Sequence, residues 1–218
     1  MLATRRQMTL KPGIGALLAL YGATIAALVA AAVYSAATGG PPWLFTRDPA
    51  AIHVANPLLG ALSNLGAVLW SAAASIALFA AALLRGAHAS ELRAYLAYAG
   101  LLTAWLLLDD LYMLHERVLP DMLGVPQRLV FAIYVALTIA LFVRFRRIVA
   151  TTDHRLLALA ITCFAVSIAS DQGPGSWHRW PWLAFIEDGA KLLGIASWLA
   201  YFVSTAARAV RASVTHRA

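Results

Sequence analysis

Charge is scarce in this sequence. Only 12% of its 218 residues are Asp, Glu, Lys or Arg, against roughly 25% in an ordinary soluble domain, while 61% are hydrophobic. A water-soluble fold of this length has no core large enough to hide so much apolar surface. There is one cysteine, Cys163, inside an apolar run, which excludes an intrachain disulfide and any zinc motif built on paired cysteines. Lysine is nearly missing: Lys11 and Lys191 stand beside fifteen arginines. No polar stretch is long enough to form a second domain, so a single transmembrane domain over 1–218 is expected.

What the sequence has instead is apolar runs of about twenty residues, enough to cross a ~30 Å hydrocarbon layer at ~1.5 Å per residue. Six emerge, at about 13–34, 58–84, 93–116, 127–144, 155–171 and 183–206. The expected fold is all-α, a polytopic integral membrane protein built as a bundle of six transmembrane helices. Residues 1–11 have the basic character of a signal-peptide leader. The apolar run after them continues to about Tyr34, too long for a usual leader, and reads as an uncleaved first span. Between the first two spans lie Gly39, Gly40, Pro41, Pro42, Pro49 and Pro57, which predict a loop with a short interfacial helix near 50–54. The other connections are short, so successive spans should pack as antiparallel neighbours.

The net charge of +7 resembles a nucleic-acid signal until its distribution is read. The basic residues cluster at the ends of apolar runs, which is membrane-orientation chemistry, and nucleic acid is not an expected partner. With the N-terminus inside, the inner flanks hold Arg5, Arg6, Lys11, Arg85, Arg93, Arg144, Arg146, Arg147, Arg155, Arg208, Arg211 and Arg217. The outer flanks hold Arg47, Arg117, Arg128 and Arg179. Twelve against four predicts both termini cytoplasmic in a bacterial-type inner membrane. Trp43, Phe45, Trp177, Trp180 and Trp182 fall in the outer loops, where aromatic rings anchor at headgroup level.

The acids follow the opposite pattern. Of ten, only Glu91 and Asp153 lie on the inner side on this topology. Acids set orientation weakly, so the outward crowding needs another reason. Its densest stretch is the end of the third span, Asp109-Asp110-Leu111-Tyr112-Met113-Leu114-His115-Glu116. On a continuous helix Asp109, Tyr112 and Glu116 share one face, with His115 at its edge and Asp110 on the other flank. The sixth span answers with Glu187, Asp188 and, one turn on, Lys191. Each ionised group at membrane depth costs at least ~2.5 kcal/mol, so such groups face a bundle interior or a watery cavity. Lys191 is then expected to pair with Glu187 or with a third-span aspartate. Asp171 closes the fifth span. Asn64, Ser71 and Ser75 recur at helical spacing in the second, either lining the same cavity or packing helices, and His53, Asn56 and His178 are loop residues available nearby.

Three functions use these residues. Asp109, Asp110, His115, Glu116, Asp171, Glu187 and Asp188 supply oxygen and imidazole donors for a divalent metal such as zinc, iron or manganese. No His-Glu-x-x-His or His-x-x-x-His spacing accompanies them. With a metal, Asp110, Glu116, Glu187 and Lys191 would catalyse hydrolysis or transfer on a lipid-like small molecule, a carboxylate taking the water proton and Lys191 stabilising developing negative charge. Buried carboxylates beside a lysine equally suit proton- or cation-coupled transport. A third possibility is an accessory subunit of a membrane complex, its charges serving only to fix helices. Membrane lipid is the expected neighbour.

Overall fold

The apolar runs are helices in the computed structural model, which describes residues 14–47, 49–53, 55–56, 58–84, 90–171 and 181–215. Six helices are long and apolar enough to cross a membrane, and no strand occurs among the described residues. The chain divides into two units, residues 1–59 and 60–218.

The first unit holds α1 (Ile14–Thr38), a 3-10 turn (Pro42–Phe45) and the short α2 (Pro49–Ile52), close to where an interfacial helix was expected. No charged residue interrupts positions 12–46, so nothing opposes burial of α1 in lipid. It ends where Gly39 takes φ +73°, a left-handed conformation that glycine adopts without a Cβ clash. The Ser35 hydroxyl donates to the Gly40 carbonyl, and the Tyr34 and Phe45 rings meet edge to face at 5.6 Å.

The second unit contains the other five spans: α3 (Ala61–Leu83), α4 (Ser90–Tyr112), α6 (Gln127–Arg144), α8 (His154–Asp171) and α9 (Pro181–Thr215), with the short helices α5 (Leu119–Leu123) and α7 (Arg146–Thr151) between them. In packing, α3 lies between α4 and α9, α8 covers α9, and α6 contacts α4. Small residues make the central position possible. Ala73, Ala77, Ala80 and Ala81 of α3 are buried, letting neighbouring backbones approach closely, as helices in lipid do. A Cβ added at Gly100 would lie 2.7 Å from Leu78 Cγ and 3.1 Å from the Leu78 backbone nitrogen. Large rings fill the remaining space: Trp70 stacks on Phe164 at 5.5 Å and meets Trp198 at 6.3 Å. The Trp198 indole donates to Thr103 Oγ1 at 3.0 Å, so its polar atom is satisfied at depth. Phe79, Leu101, Val143, Leu193 and Val203 are exposed, a surface suited to lipid and a liability in water.

One span departs from expectation. The third was predicted to run unbroken to Glu116; α4 stops at Tyr112, Met113 turns left-handed at φ +50°, and a π turn follows over Leu114–Val118. A side chain explains the break: Asp109 Oδ1 accepts the backbone N–H of His115 at 2.9 Å, taking a donor that a continuing helix would have used.

Replacing Gly100 by Ala should lower thermal stability in detergent by about 1–3 kcal/mol through overpacking. The same change at Gly22, which has open space around it, should be nearly silent, and equal effects at both positions would contradict the packing described.

Candidate functional site

The break in α4 builds the site. Asp109, buried to 5% exposure, uses both carboxylate oxygens. Oδ1 accepts the His115 backbone N–H and the Tyr134 hydroxyl from α6, at 2.9 and 2.8 Å. Oδ2 meets His115 Nδ1 at 2.5 Å. A carboxylate with three donors can stay ionised away from water. The His115 ring packs against Phe131 at 4.8 Å, and its Nε2 faces Glu116 Oε1 at 3.5 Å. Burial alone would lower the imidazole's affinity for its proton, but the hydrogen bonds to Asp109 and Glu116 outweigh it and push His115 up to about 9. His115 is therefore an imidazolium at neutral pH, each ring nitrogen directed at a carboxylate. Glu116, half exposed, is held below its usual range, chiefly by its hydrogen bond to His115.

Asp110 points elsewhere. It pairs with Lys191 Nζ of α9, so the two adjacent aspartates serve different partners on different helices. Gly66 of α3 makes room: a Cβ there would stand 3.3 Å from Ile195 Cδ1 and 4.0 Å from Asp110 Oδ2. Lys191 also lies within electrostatic reach of Asp188 and Glu116, and Glu187 within reach of Asp171, Asp188, Glu116 and Lys191. Asp171 accepts a hydrogen bond from Gln127 Nε2 at 2.9 Å. The acids and the lysine singled out from sequence thus gather at one end of the second unit.

Several details differ from the sequence reading. Tyr112, placed on the Asp109 face, is the last residue of α4 and is 62% exposed. Of the two partners offered for Lys191, the third-span aspartate is the one used. Asn64, Ser71 and Ser75 are exposed and do not line the cluster. His53, in the first unit, is exposed; His178, Trp177, Trp180 and Asp48 lie outside the described residues. Tyr134 was missed. Among the described residues no group of three or more His, Cys, Asp or Glu is arranged to hold a metal ion, because Asp109, Asp110 and both nitrogens of His115 are turned toward other partners.

A family model described as a domain of unknown function, DUF8692, matches residues 18–205. The chain belongs to that family. The match takes in both units and every site residue of this DUF8692 chain, from Asp109 to Lys191. No curated protein and no solved structure matches it.

Two measurements test the geometry. An unfolded imidazole titrates near 6.5, so the pairing of His115 stabilises fully below about pH 6.5 and is lost as pH rises through about 9. The unfolding temperature in detergent should fall between pH 7 and 10, and Asp109→Asn should flatten that fall; parallel slopes would refute the pairing. Separately, Asp110→Asn leaves the Lys191 ammonium without its partner, an arrangement that costs about 3–5 kcal/mol when fully buried and less for a side chain 35% exposed. Asp110→Asn/Lys191→Met should recover part of that loss, whereas additive losses would show that the two residues do not act as a pair.

Proposed function

We propose that this is a multi-pass protein of a bacterial-type inner membrane, both termini cytoplasmic, with an enzyme site at the outer face that hydrolyses or transfers a group on a lipid-like substrate. The orientation rests on the arginine distribution. The activity rests on one observation, the Asp109–His115–Glu116 relay beside the Asp110–Lys191 pair. An imidazolium held by a fully engaged carboxylate is a proton donor at neutral pH. Lys191, fixed by Asp110, is a positive charge poised to stabilise an oxyanion. Glu187 and Asp188 have no ion-pair or hydrogen-bond partner among the described residues, which leaves them free to accept a proton.

In this reading Glu187 takes a proton from water, the water oxygen attacks the carbonyl carbon or phosphorus, and the departing oxygen takes its proton from His115. A divalent metal, zinc, iron or manganese, would supply Lewis-acid activation of that water, but Glu187, Asp188 and Glu116 are not grouped as a ligand set here, and the scheme rests on the chain's own acids and cations. Exposed Tyr112, Met113, Phe185 and Ile186 surround the cluster with apolar surface along which a lipid-like substrate would reach it. A second reading, proton- or cation-coupled transport, uses the same carboxylates beside a lysine, Asp110 with Lys191.

Glu187→Gln separates them. It should leave thermal unfolding unchanged and lower turnover in a screen of lipid esters and phosphoesters by more than about 10²-fold. Elemental analysis of the same protein before and after chelation should show a stoichiometric metal if one takes part. Proton uptake into liposomes that the variant abolishes, with no turnover by the wild type, would instead establish transport.

A further inference from the structure

The opposite end of the second unit carries a different chemistry. At about 1.5 Å per residue, the eighteen residues of α6 put Arg144 roughly 25 Å from the Gln127 end. There Arg144, Arg146, Arg147 and Arg155 occur within twelve residues, and all four are exposed. Two acids accompany them: Glu91, 3.5 Å from Arg144, and Asp153. We propose that this arginine-bearing turn binds the phosphate headgroup of an anionic phospholipid.

Orientation in a membrane needs only a count of positive charges; it does not require them to be mounted rigidly. These are. Phe145 is buried and meets the rings of Tyr95 and Tyr98 at 5.4 and 6.4 Å, and the Arg144 guanidinium lies 4.9 Å over it. Ile148 and Val149 of α7 pack against the core. Past α7, Thr152 is tied down by a buried chain of hydroxyls. Its Oγ1–H donates to the Val149 carbonyl at 2.8 Å, so the Tyr201 hydroxyl, 2.8 Å from Thr152 Oγ1, must donate to it, and Tyr95, 2.6 Å from Tyr201, must donate in turn. Each of these hydroxyls has one proton, and the run ends on a backbone carbonyl, which has none to pass on. It is a clamp from α4 and α9 onto the turn, not a proton path.

The cations on the platform are all arginine, whose planar fork matches two phosphate oxygens at once. What makes the phosphate part of a lipid is the surface next to it. Val143 precedes Arg144, Leu159 lies one turn after Arg155, and both are exposed, so a headgroup on the arginines leaves its acyl chains along these apolar side chains.

Native mass spectrometry of the full chain in mild detergent tests this, with phosphatidylglycerol and phosphatidylcholine of identical acyl chains in competition. The wild type should retain phosphatidylglycerol preferentially. Arg146→Gln/Arg147→Gln/Arg155→Gln should reduce that preference about fivefold per arginine. The matching triple Lys variant, which keeps the charge and loses the fork, should fall between them. Equal retention of both lipids by the wild type would overturn the proposal, as would a preference unchanged in either triple variant.

Discussion

A charge placed in the apolar layer must meet a partner there, and the arrangement around Asp109 follows from that requirement. Its carboxylate takes three donors from two elements: the His115 ring and backbone N–H, and the Tyr134 hydroxyl. Satisfying Asp109 in this way ends α4 early, since the His115 N–H no longer serves a helix. The break swings His115 back over Asp109 and sets Glu116 on the other side of the same ring. Asp110, one residue on, is left to face α9, and Lys191 comes to it. One buried carboxylate therefore fixes the shape of the loop, the charge of a histidine and the assignment of its neighbour.

The spans were legible in the sequence because crossing lipid demands a length of apolar residues that little else imitates. The fourth and fifth, at 127–144 and about 155–171, were placed almost to the residue. The break at Met113 was hidden, because projecting residues at about 100° assumes the helix that Asp109 interrupts. That assumption carried the third span on past Tyr112; His115, set at the edge of the Asp109 and Glu116 face, does meet both acids. Tyr134 escaped for another reason: a tyrosine inside an apolar run reads as packing, and only the depth of Asp109 on the neighbouring span marks its hydroxyl as a donor. For Lys191 the sequence offered two carboxylates and could not choose, since the choice depends on how closely α9 approaches α4 past Gly66.

The two ends of the second unit divide the labour. One gathers acids around a histidine and a lysine. The other is arginine-rich and clamped by hydroxyls from Tyr95, Tyr201 and Thr152. Between them the Trp198 indole is matched by the Thr103 hydroxyl.

The central claim is that Asp109 and Glu116 keep His115 positively charged. Nitrogen NMR of protein labelled with ¹⁵N-histidine tests it most directly, with His115→Gln used to assign the signals. The account predicts that both His115 ring nitrogens are protonated at neutral pH and titrate near 9. A single protonated ring nitrogen at that pH, with titration near the ordinary 6.5, would contradict it and leave the acidic end without its proton donor.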